Sequence, residues 1–389
     1  MKITKIECIP VSIPFVKPIV MAGGPATVAD SVILKIHTDE SVTGISECGD
    51  TSLWYMGESQ DSIMYNISRI FGPQILLGEN PFNIETIVAK MDKAARANNQ
   101  SKATVDYALH DLMGKALGVP AYKLLGGLSN EKIALAFVMS SGTPEEVGKE
   151  GKALVKAGFQ GLKLKVGAHT PDEDIEMVAA LRAAVGNKVK VMIDANGGWM
   201  YHQALYVLQR VAKYDIFLSE QPVPWWDIDS LARLRRKVDV PIFADESAAE
   251  ANDLIKIIEK EAADGFFLKV PKAGGFIKSK RWVTIAMSAN MPVMTGCMVN
   301  SGLGSYAEAT FLASLPWLGK IEQESIGPLN LYNIYDTTKP IKDDLAIKPP
   351  RYEKGYLYAP TGNGLGAELN EASVKKLATP GKKAVVIGK

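Results

Sequence analysis

The sequence predicts an α/β protein built around a modified (β/α)8-type TIM barrel, with an α+β capping domain on its N-terminal side. From about Lys132 onward, short apolar runs alternate with helical stretches, which is typical of parallel strands joined by crossover helices. No GxGxxG turn lies between these runs, which disfavours an open dinucleotide-binding sheet. Eight such runs favour a closed barrel, and their ends fall 24 to 29 residues apart, at 139, 165, 194, 220, 245, 269, 297 and 324.

Residues 1–127 have a different pattern, and we predict that they form the capping domain. The segments KITKIECIPVSI and SVILKIHTDESVTGISEC have the composition of antiparallel strands, with a turn at Asp39 and Glu40. Three helices are expected to follow these strands, around 57–72, 82–95 and 101–117.

Two segments of the capping domain, 16–27 and 49–59, are Gly-rich and partly aromatic, so we expect them to be loops. Residues 128–325 are predicted to form the barrel, and residues 326–389 a separate C-terminal segment. Within that segment, YEKGYLYAPTGNGLGAEL predicts a hairpin followed by turns. We expect the C-terminal segment to fold back onto the capping domain.

The composition is that of an ordinary globular protein, with 389 residues, 47% of them hydrophobic and 22% charged. The net charge of +1 gives no general attraction to nucleic acid or to an anionic membrane. Cys8, Cys48 and Cys297 follow no CxxC spacing and are expected to be thiols in a reducing cytoplasm. The start, MKITKIECIP, lacks the apolar core of a signal peptide, and no run is long enough to span a bilayer. We therefore expect a cytoplasmic protein.

Carboxylates follow three consecutive strands of the predicted barrel, at Asp194, Glu220 and Asp245. A single Asp at a strand end is more often a helix cap, but three in register on adjacent strands are not explained by capping. Because active sites of such barrels form at the carboxyl ends of the strands, these side chains are expected to converge. Converging carboxylates repel unless a cation holds them, and oxygen ligands suit Mg²⁺, or alternatively Mn²⁺. The four histidines and three cysteines have no zinc-site spacing.

Lysines flank these carboxylates on both sides of the barrel. Lys163 and Lys165 lie two apart in GLKLKV, so their side chains share one face of the second strand, while Lys269 ends the sixth strand. A neighbouring cation and partial burial both favour a neutral amine, so we expect a lysine of lowered pKa that acts as a general base. Strands two and six lie across the cavity from each other, which suits acid/base groups on opposite faces of a substrate. The chemistry that fits is abstraction of the proton next to a carboxylate, with the metal and a lysine stabilising the enediolate.

Several of these motifs also occur together in a known family. It resembles the muconate lactonizing enzyme subgroup of the enolase superfamily along essentially its whole length. The resemblance rests on motifs that occur in a specific order and spacing, namely KxK at 163–165, DAN at 194–196, EQP at 220–222, ADES at 244–247, and Lys269 followed by Gly274 and Gly275. It implies a capping domain whose loops close over the substrate, and a C-terminal segment that rejoins the cap.

The resemblance also implies roles for individual residues. Asp194, Glu220 and Asp245 would be the metal ligands. Lys165 would be the base on one face, with Lys163 lowering its pKa and touching the substrate carboxylate, and Lys269 would act on the opposite face. Asn196 and Glu246 would orient the ligands and lysines. The expected partner is a small carboxylate substrate, and the enzyme is expected to be a homo-oligomer.

The substrate pocket is predicted to contain Met21, Trp54, Tyr55, Cys297, Met298, Asn300 and Glu324. The eighth strand reads EQES and lacks the Asp-x-Asp of dipeptide epimerases, whereas Glu324 aligns with the acidic residue before Gly-Pro in muconate cycloisomerases. Asn300 stands where many relatives have Glu. Trp54 and Tyr55 would either stack on a ring or an ammonium group of the substrate, or pack the cap onto the barrel.

These features favour a Mg²⁺-dependent racemase or epimerase of an amino-acid derivative, because two lysines on opposite faces suit inversion. A muconate-type cycloisomerase, which needs only one lysine, and a syn-dehydratase are the alternatives within the subgroup. A more distant alternative is a Schiff-base aldolase using Lys269, which leaves the three carboxylates unexplained. A binding protein without catalytic activity would also explain the metal ligands. It would leave the lysine pair without a function.

Overall fold

The computed structural model describes residues 1–389. Its N-terminal part, called the cap below, is an antiparallel sheet covered on one side by helices. The cap elements are β1 (Ile3–Met21), β2 (Gly24–Thr38), β3 (Thr43–Glu47), α1 (Leu53–Met56), α2 (Gln60–Tyr65), a π-helical segment (Asn66–Leu76), α3 (Ile84–Ala94) and α4 (Asn99–Leu117). Alternating buried residues of β1 and β2 face α4 and the π-helical segment, and this apolar layer forms the cap core.

The barrel follows as a curled sheet of seven parallel strands with helices on its outside. After β4 (Lys132–Ala134), its strands are β5 (Ala136–Met139), β6 (Gly161–Lys165), β7 (Lys190–Asp194), β8 (Ile216–Glu220), β9 (Ile242–Ala244), β10 (Gly265–Leu268) and β11 (Val293–Thr295). They are paired in chain order from β5 to β11. The intervening helices are α5 (Pro144–Ala157), α6 (Pro171–Val185), α7 (Tyr201–Val211), α8 (Ile228–Arg235), α9 (Ala251–Glu259), α10 (Val270–Ala273), α11 (Phe276–Ser288) and α12 (Gly302–Ser314). The predicted fold class, a modified barrel with an α+β cap, is confirmed.

The prediction of an eighth strand is wrong, because this segment forms only single bridges. Its residues nevertheless close the barrel. Gln323 forms a parallel bridge with Leu135, and Glu324 forms one with Gly296. The side chain of Gln323 adds to this closure, since its Oε1 accepts a hydrogen bond of 2.6 Å from the Thr295 N–H. The segment cannot extend further as a strand, because the helix α13 (Gly327–Tyr332) begins shortly after it.

The segment 16–27, predicted to be a loop, is instead a β-hairpin that extends β1 and β2. Its pairing continues to Met21 opposite Gly24, where Gly24 has a φ of +101°. The β-branched Ile19 and Val20 favour the extended conformation, which explains the difference from the prediction. The segment 49–59 contains the one-turn helix α1, flanked by glycines 49 and 57 with φ of +74° and +70°.

The C-terminal segment contacts both parts of the molecule. The predicted hairpin is present as β12 (Tyr352–Glu353) and β13 (Tyr356–Tyr358), and it pairs with β4 below the barrel. After α14 (Glu371–Lys376), the last strand β14 (Val385–Gly388) pairs antiparallel with β1 of the cap. None of the helices has the length and apolar character needed to cross a membrane.

Two apolar layers hold the barrel strands in place. The larger one lies between strands and helices, whereas a small cluster fills the barrel interior, consisting of Ala136, Met192, Leu218, Phe243, Phe267 and Met294. Polar residues follow this interior plug at the carboxyl ends of the strands. The floor of the active site is therefore supported from below by close-packed side chains.

Candidate active site

The strand ends of the barrel bring the predicted charged residues together. The parallel ladder pairs Lys165 with Asp194 and Asp194 with Glu220, so these residues lie side by side at one level. Asp245 follows directly after β9, and Lys269 directly after β10. Both lysines of β6 point inward, with Lys163 1% exposed and Lys165 7% exposed. The predicted catalytic lysines and metal carboxylates thus form one buried cluster.

Lys163 lies at the bottom of this cluster. Its Nζ forms ion pairs with the carboxylates of Glu220 and Glu324, and lies 3.4 Å from Asp194 Oδ2. The same Nζ lies 4.4 Å from the centroid of the Phe267 ring in the interior plug, a cation–π contact. Lys163 is therefore enclosed on all these sides and does not line the cavity above.

Lys165 lies one layer higher, at the mouth of the barrel. Its Nζ donates hydrogen bonds of 2.5 Å to Asp194 Oδ2 and 2.8 Å to Asn196 Oδ1. The Asn196 backbone N–H in turn donates to Asp194 Oδ1, and its side-chain Nδ2 donates to Glu246 Oε1 at 3.0 Å. Asn196 is therefore hydrogen-bonded to Lys165, Asp194 and Glu246, and the orienting role of Asn196 and Glu246 stays a prediction.

Asp245 is the centre of the opposite side. Its Oδ2 accepts hydrogen bonds from Lys269 Nζ at 3.0 Å and from the Tyr55 hydroxyl at 2.6 Å. Its Oδ1 accepts one of 2.5 Å from Lys272 Nζ, which also donates to the Asp245 carbonyl. Lys272 was not singled out from the sequence, although a second lysine three residues after Lys269 was a visible signal.

A glutamine fixes the backbone around Asp245. Gln221 Oε1 accepts hydrogen bonds from the N–H groups of Asp245 and Ser247 at 3.0 and 3.2 Å. Gln221 has a φ of +34° and Asn196 a φ of +43°, both in the left-handed region that non-glycine residues rarely adopt. Two such residues at neighbouring strand ends are maintained by the surrounding hydrogen bonds, which is typical of functional sites.

The pKa values of Lys163 and Lys269 are both raised by the surrounding carboxylates. Burial favours the neutral amine of Lys163, but the carboxylates of Glu220, Glu324 and Asp194 outweigh it and raise the pKa of Lys163 well above its usual value. For Lys269, burial is likewise outweighed by Asp245, and its pKa is raised. At Lys163 and Lys269 the nearby carboxylates therefore outweigh both burial and the neighbouring lysines. The expectation that one lysine acts as a general base stays a prediction.

The carboxylates show the complementary effects. Burial opposes ionisation of Asp245, but Lys269 and Lys272 hold the pKa of its carboxyl well below the usual range. At Glu220, burial and the negative charge of Asp194 together raise the pKa well above its usual value, and Lys163 does not offset them. Glu220 is therefore the carboxylate of this cluster with the least positive charge around it.

The donor set fits a hard divalent cation. Asp194, Glu220 and Asp245 supply only oxygen atoms, and Glu220 Oε1 is buried without a hydrogen-bond partner. In the arrangement described here, ammonium groups lie against all three carboxylates, and no three His, Cys, Asp or Glu side chains form a preassembled metal cluster. A cation at Glu220 Oε1 would supply the positive charge that the Glu220 carboxylate lacks.

A cavity of about 210 Å³ lies between this floor and the cap. The Lys165, Asn196 and Lys269 side chains form part of its floor, while its walls include six predicted pocket residues, Met21, Trp54, Tyr55, Cys297, Met298 and Glu324. Asn300, also predicted for the pocket, does not line it. Asn300 is 4% exposed and packs against Gly304 and Gly327, on which a Cβ atom would collide with it.

The cavity also contains residues that the sequence reasoning did not name. Asp50 belongs to the cap segment expected to close the site, so its position there was a usable signal. Burial raises the pKa of its carboxyl to about 7. Asn330 lies on α13, beyond the last predicted strand, where no motif pointed to the cavity. The other missed lining residues are apolar or small, among them Ile19, Pro25, Val138 and Val299.

Comparison with known proteins agrees with this geometry. A family model described as Mandelate racemase / muconate lactonizing enzyme, N-terminal domain, matches residues 4–126. A second model, described as Enolase C-terminal domain-like, matches residues 146–373. Together they cover the cap, the barrel from α5 onward and most of the C-terminal segment.

Individual relatives extend over the whole chain. The N-succinyl-L-Arg/Lys racemase of Bacillus cereus is 32% identical over 97% of this chain and 98% of its own length. A mandelate racemase/muconate lactonizing family protein from Azoarcus sp. EbN1 has a TM-score of 0.94 and 49% identity, with full coverage of both chains. A dipeptide epimerase from Enterococcus faecalis V583, solved with Mg and the dipeptide L-Leu-L-Tyr, has a TM-score of 0.84 and 31% identity over 95% of this chain and 100% of its own. The chain therefore belongs to the mandelate racemase / muconate lactonizing enzyme family of the enolase superfamily, and it is an isomerase.

Proposed function

We propose that the protein is a racemase or epimerase that inverts the carbon next to the carboxylate of an amino-acid derivative. The observation that carries this proposal is the placement of two lysine ammonium groups, Lys165 on β6 and Lys269 after β10, in the floor of one cavity. Their partners differ, since Lys165 contacts Asp194 and Lys269 contacts Asp245. A substrate between them would present opposite faces of one carbon to the two amines.

The three carboxylates Asp194, Glu220 and Asp245 would hold Mg²⁺, with Mn²⁺ as an alternative. Bound there, the ion would stabilise negative charge that develops on the substrate carboxylate. The buried Glu220 oxygen that has no hydrogen-bond partner supports this assignment, and so does the oxygen-only donor set. The Mg in the solved relative from Enterococcus faecalis supports it as well. Lys163, beneath the cluster, keeps a positive charge close to the same carboxylates.

Inversion requires one lysine to remove the proton from the α-carbon as a neutral amine, while the other returns a proton to the opposite face. The two lysines exchange these roles in the reverse direction, so the reaction needs no net proton from outside. Asn196, which accepts a hydrogen bond from Lys165, orients that amine towards the cavity. Tyr55 covers Lys269, whose Nζ lies 3.9 Å from the Tyr55 ring centroid. The Lys269 amine is thereby covered on the cap side.

The relatives support an amino-acid derivative as substrate. One is a racemase of N-succinyl-L-Arg/Lys and another a dipeptide epimerase, and in both names the reacting group is an acylated amino acid or dipeptide. The cavity of about 210 Å³ is smaller than the ~300–1,000 Å³ of typical ligand pockets, which favours a small group at the reacting carbon. A muconate-type cycloisomerase, the second candidate, is supported by the family name and by Glu324 in the cavity wall.

Proton exchange in D₂O tests the proposal. N-acyl amino acids, dipeptides, proline derivatives and muconates would be incubated with the Mg²⁺-loaded enzyme and followed by NMR and chiral chromatography. We expect deuterium at the α-carbon together with inversion. Lys165→Ala and Lys269→Ala should each abolish inversion, with each variant keeping exchange from the enantiomer whose proton the remaining lysine removes.

The exposed Lys260→Ala serves as the control, because Lys260 contacts only Asp229 at the surface. Formation of a lactone from muconate without exchange in any amino-acid derivative would establish the cycloisomerase instead. Full inversion activity in either lysine variant would overturn the two-base proposal.

A further inference from the structure

A second cavity, of about 600 Å³, lies beside the catalytic one. It is bounded by α1 of the cap and by the connection between β8 and α8, which carries Trp225 and Trp226. Trp54, Tyr55 and Asn196 line both cavities, so these residues form part of the wall between them. The two cavities therefore share a wall, and a substrate in the first lies next to the second.

The lining of the second cavity is aromatic and contains one charged residue. Trp54, Trp225 and Trp226 are 55%, 62% and 67% exposed, which is unusual for three indoles around one cavity. Glu246 is the only acidic residue in the lining, and no Lys, Arg or His contributes to it. Indole faces attract cations through their quadrupole, and the carboxyl of Glu246 adds negative charge in its ionised form, although burial raises its pKa to about 7. The cavity therefore selects for positive charge.

Glu246 also has an unused acceptor. Its Oε1 receives the hydrogen bond from Asn196, but its Oε2 is buried and has no partner within the protein. A buried acceptor without a partner is costly, and few remain unpaired in folded proteins unless a water or ligand satisfies them. An apolar ligand would leave this oxygen unpaired, and an anionic one would be repelled by it. A guanidinium or ammonium group would donate to it.

We propose that the second cavity is a subsite for a guanidinium or alkylammonium group carried by the part of the substrate remote from the reacting carbon. The substrate would place its carboxylate and α-carbon above Lys165 and Lys269, and pass between Tyr55 and Asn196. Its cationic end would lie against Trp225 and Trp226 and donate hydrogen bonds to Glu246. This assignment rests on the proposed function for the orientation of the substrate, whereas the cation preference rests on the cavity alone.

Equilibrium binding tests the preference without requiring turnover. The probes are Nα-acetyl-L-arginine and Nα-acetyl-L-citrulline, which have nearly the same shape but differ by the positive charge. With Mg²⁺ present, calorimetry of the wild type should give about tenfold tighter binding of the arginine derivative. In the Trp225→Leu/Trp226→Leu double variant, we expect this preference to fall to about threefold or less, with citrulline binding unchanged.

Two further variants serve as controls for this binding test. Trp225→Phe/Trp226→Phe retains aromatic faces and should keep most of the preference. Tyr65→Leu removes an exposed aromatic residue that lines neither cavity and should change nothing. Equal affinity of the wild type for both probes, or an undiminished preference in the Leu double variant, would overturn the proposal. So would a change of oligomeric state in that variant without any change in preference, since the indoles would then form a protein interface.

The outcomes separate the subsite from the proposed reaction. Tight, charge-dependent binding without deuterium exchange in any substrate would refute the racemase and leave the subsite standing. Exchange at equal rates and equal affinities for both probes would do the reverse.

Discussion

The residues in the floor and in the roof of the catalytic cavity are held in place by different kinds of structure. In the floor, Asp194, Glu220 and Asp245 are fully buried, and each contacts at least one lysine. The roof, formed by the cap, carries Trp54 at 55% exposure on a one-turn helix between two glycines. The floor residues are placed by a hydrogen-bonded ladder of parallel strands, whereas the roof residues are placed by a hairpin and a short helix.

This difference indicates that the floor and the roof have different roles, the floor in the chemistry and the roof in substrate selection. Acid/base and metal chemistry needs groups held in a narrow range of positions, which strand ends over a packed interior provide. Selection among substrates needs surfaces that change without disturbing the chemistry, which loops on a rigid scaffold provide. We therefore expect floor substitutions to have large effects on the reaction and roof substitutions to have small ones.

The largest effect is expected from Glu220→Gln in the floor. The substitution removes the carboxylate with the unpaired buried oxygen, and we expect Mg²⁺ affinity to fall at least ~100-fold, measured by calorimetry. Deuterium exchange should fall in parallel. Glu322→Gln, which alters a carboxylate paired with Lys190 outside the cavity, is the matched control. Unchanged Mg²⁺ affinity in the Glu220 variant would show that the metal lies elsewhere.

Behind the floor, Glu308→Gln should change the pH dependence of stability. Burial raises the pKa of Glu308 to about 8, so between pH ~4.5 and 8 the unfolded chain is ionised while the folded one retains the proton. The wild type therefore loses stability across this range, by roughly 3 to 5 kcal/mol, and the variant does not incur this loss. Urea unfolding at pH 5 and pH 9 measures it, with the exposed Glu145→Gln as control. Parallel pH profiles of wild type and variant would contradict the assignment.

Tyr55→Phe tests one hydrogen bond that joins roof and floor. It removes the hydrogen bond to Asp245 but keeps the ring over Lys269. Because hydrogen bonds to charged groups contribute about 1.5–3 kcal/mol, we expect kcat/KM to fall roughly tenfold, with thermal stability nearly unchanged. Tyr65→Phe, at an exposed position of the cap, should leave both quantities as they are. A loss as large as that of Lys269→Ala would place Tyr55 in the chemistry itself.

The smallest effect is expected from Trp54→Ala. Since more than half of this side chain is exposed, its loss should not change the melting temperature, and KM should rise only about three- to tenfold. Steady-state kinetics on the best substrate of the exchange screen measures this. A large fall in kcat with KM unchanged would contradict the division between floor and roof.

Much of this architecture could be predicted because it depends on local spacing. The even βα repeat predicted the barrel, and the strand ends at 165, 194 and 220 are the last residues of β6, β7 and β8. The two-residue side-chain period correctly placed Lys163 and Lys165 on one inward face. The prediction of an eighth strand failed because the backbone pairing there is limited to single bridges at Gln323 and Glu324.

Features that depend on distance in space could not be predicted in the same way. The contact between Tyr55 and Asp245 joins residues 190 positions apart, and no sequence pattern relates them. The direction of the lysine pKa shifts depends on which charge lies nearest, which the strand pattern leaves open. The roles of the metal ligands and lysines remain predictions that the proposed variants address.

The helix α1 links the opening of the cap to the entry of substrate and the exit of product. It is one turn long, begins after Gly49 and ends at Gly57, and holds the barrel through the Tyr55 hydroxyl. Any outward swing of this helix that admits a substrate must also break the hydrogen bond to Asp245. Entry and exit are thereby linked to the same atom that steadies the floor. We expect the residence time of the product, and with it the number of inversions per encounter, to depend on how often this bond opens.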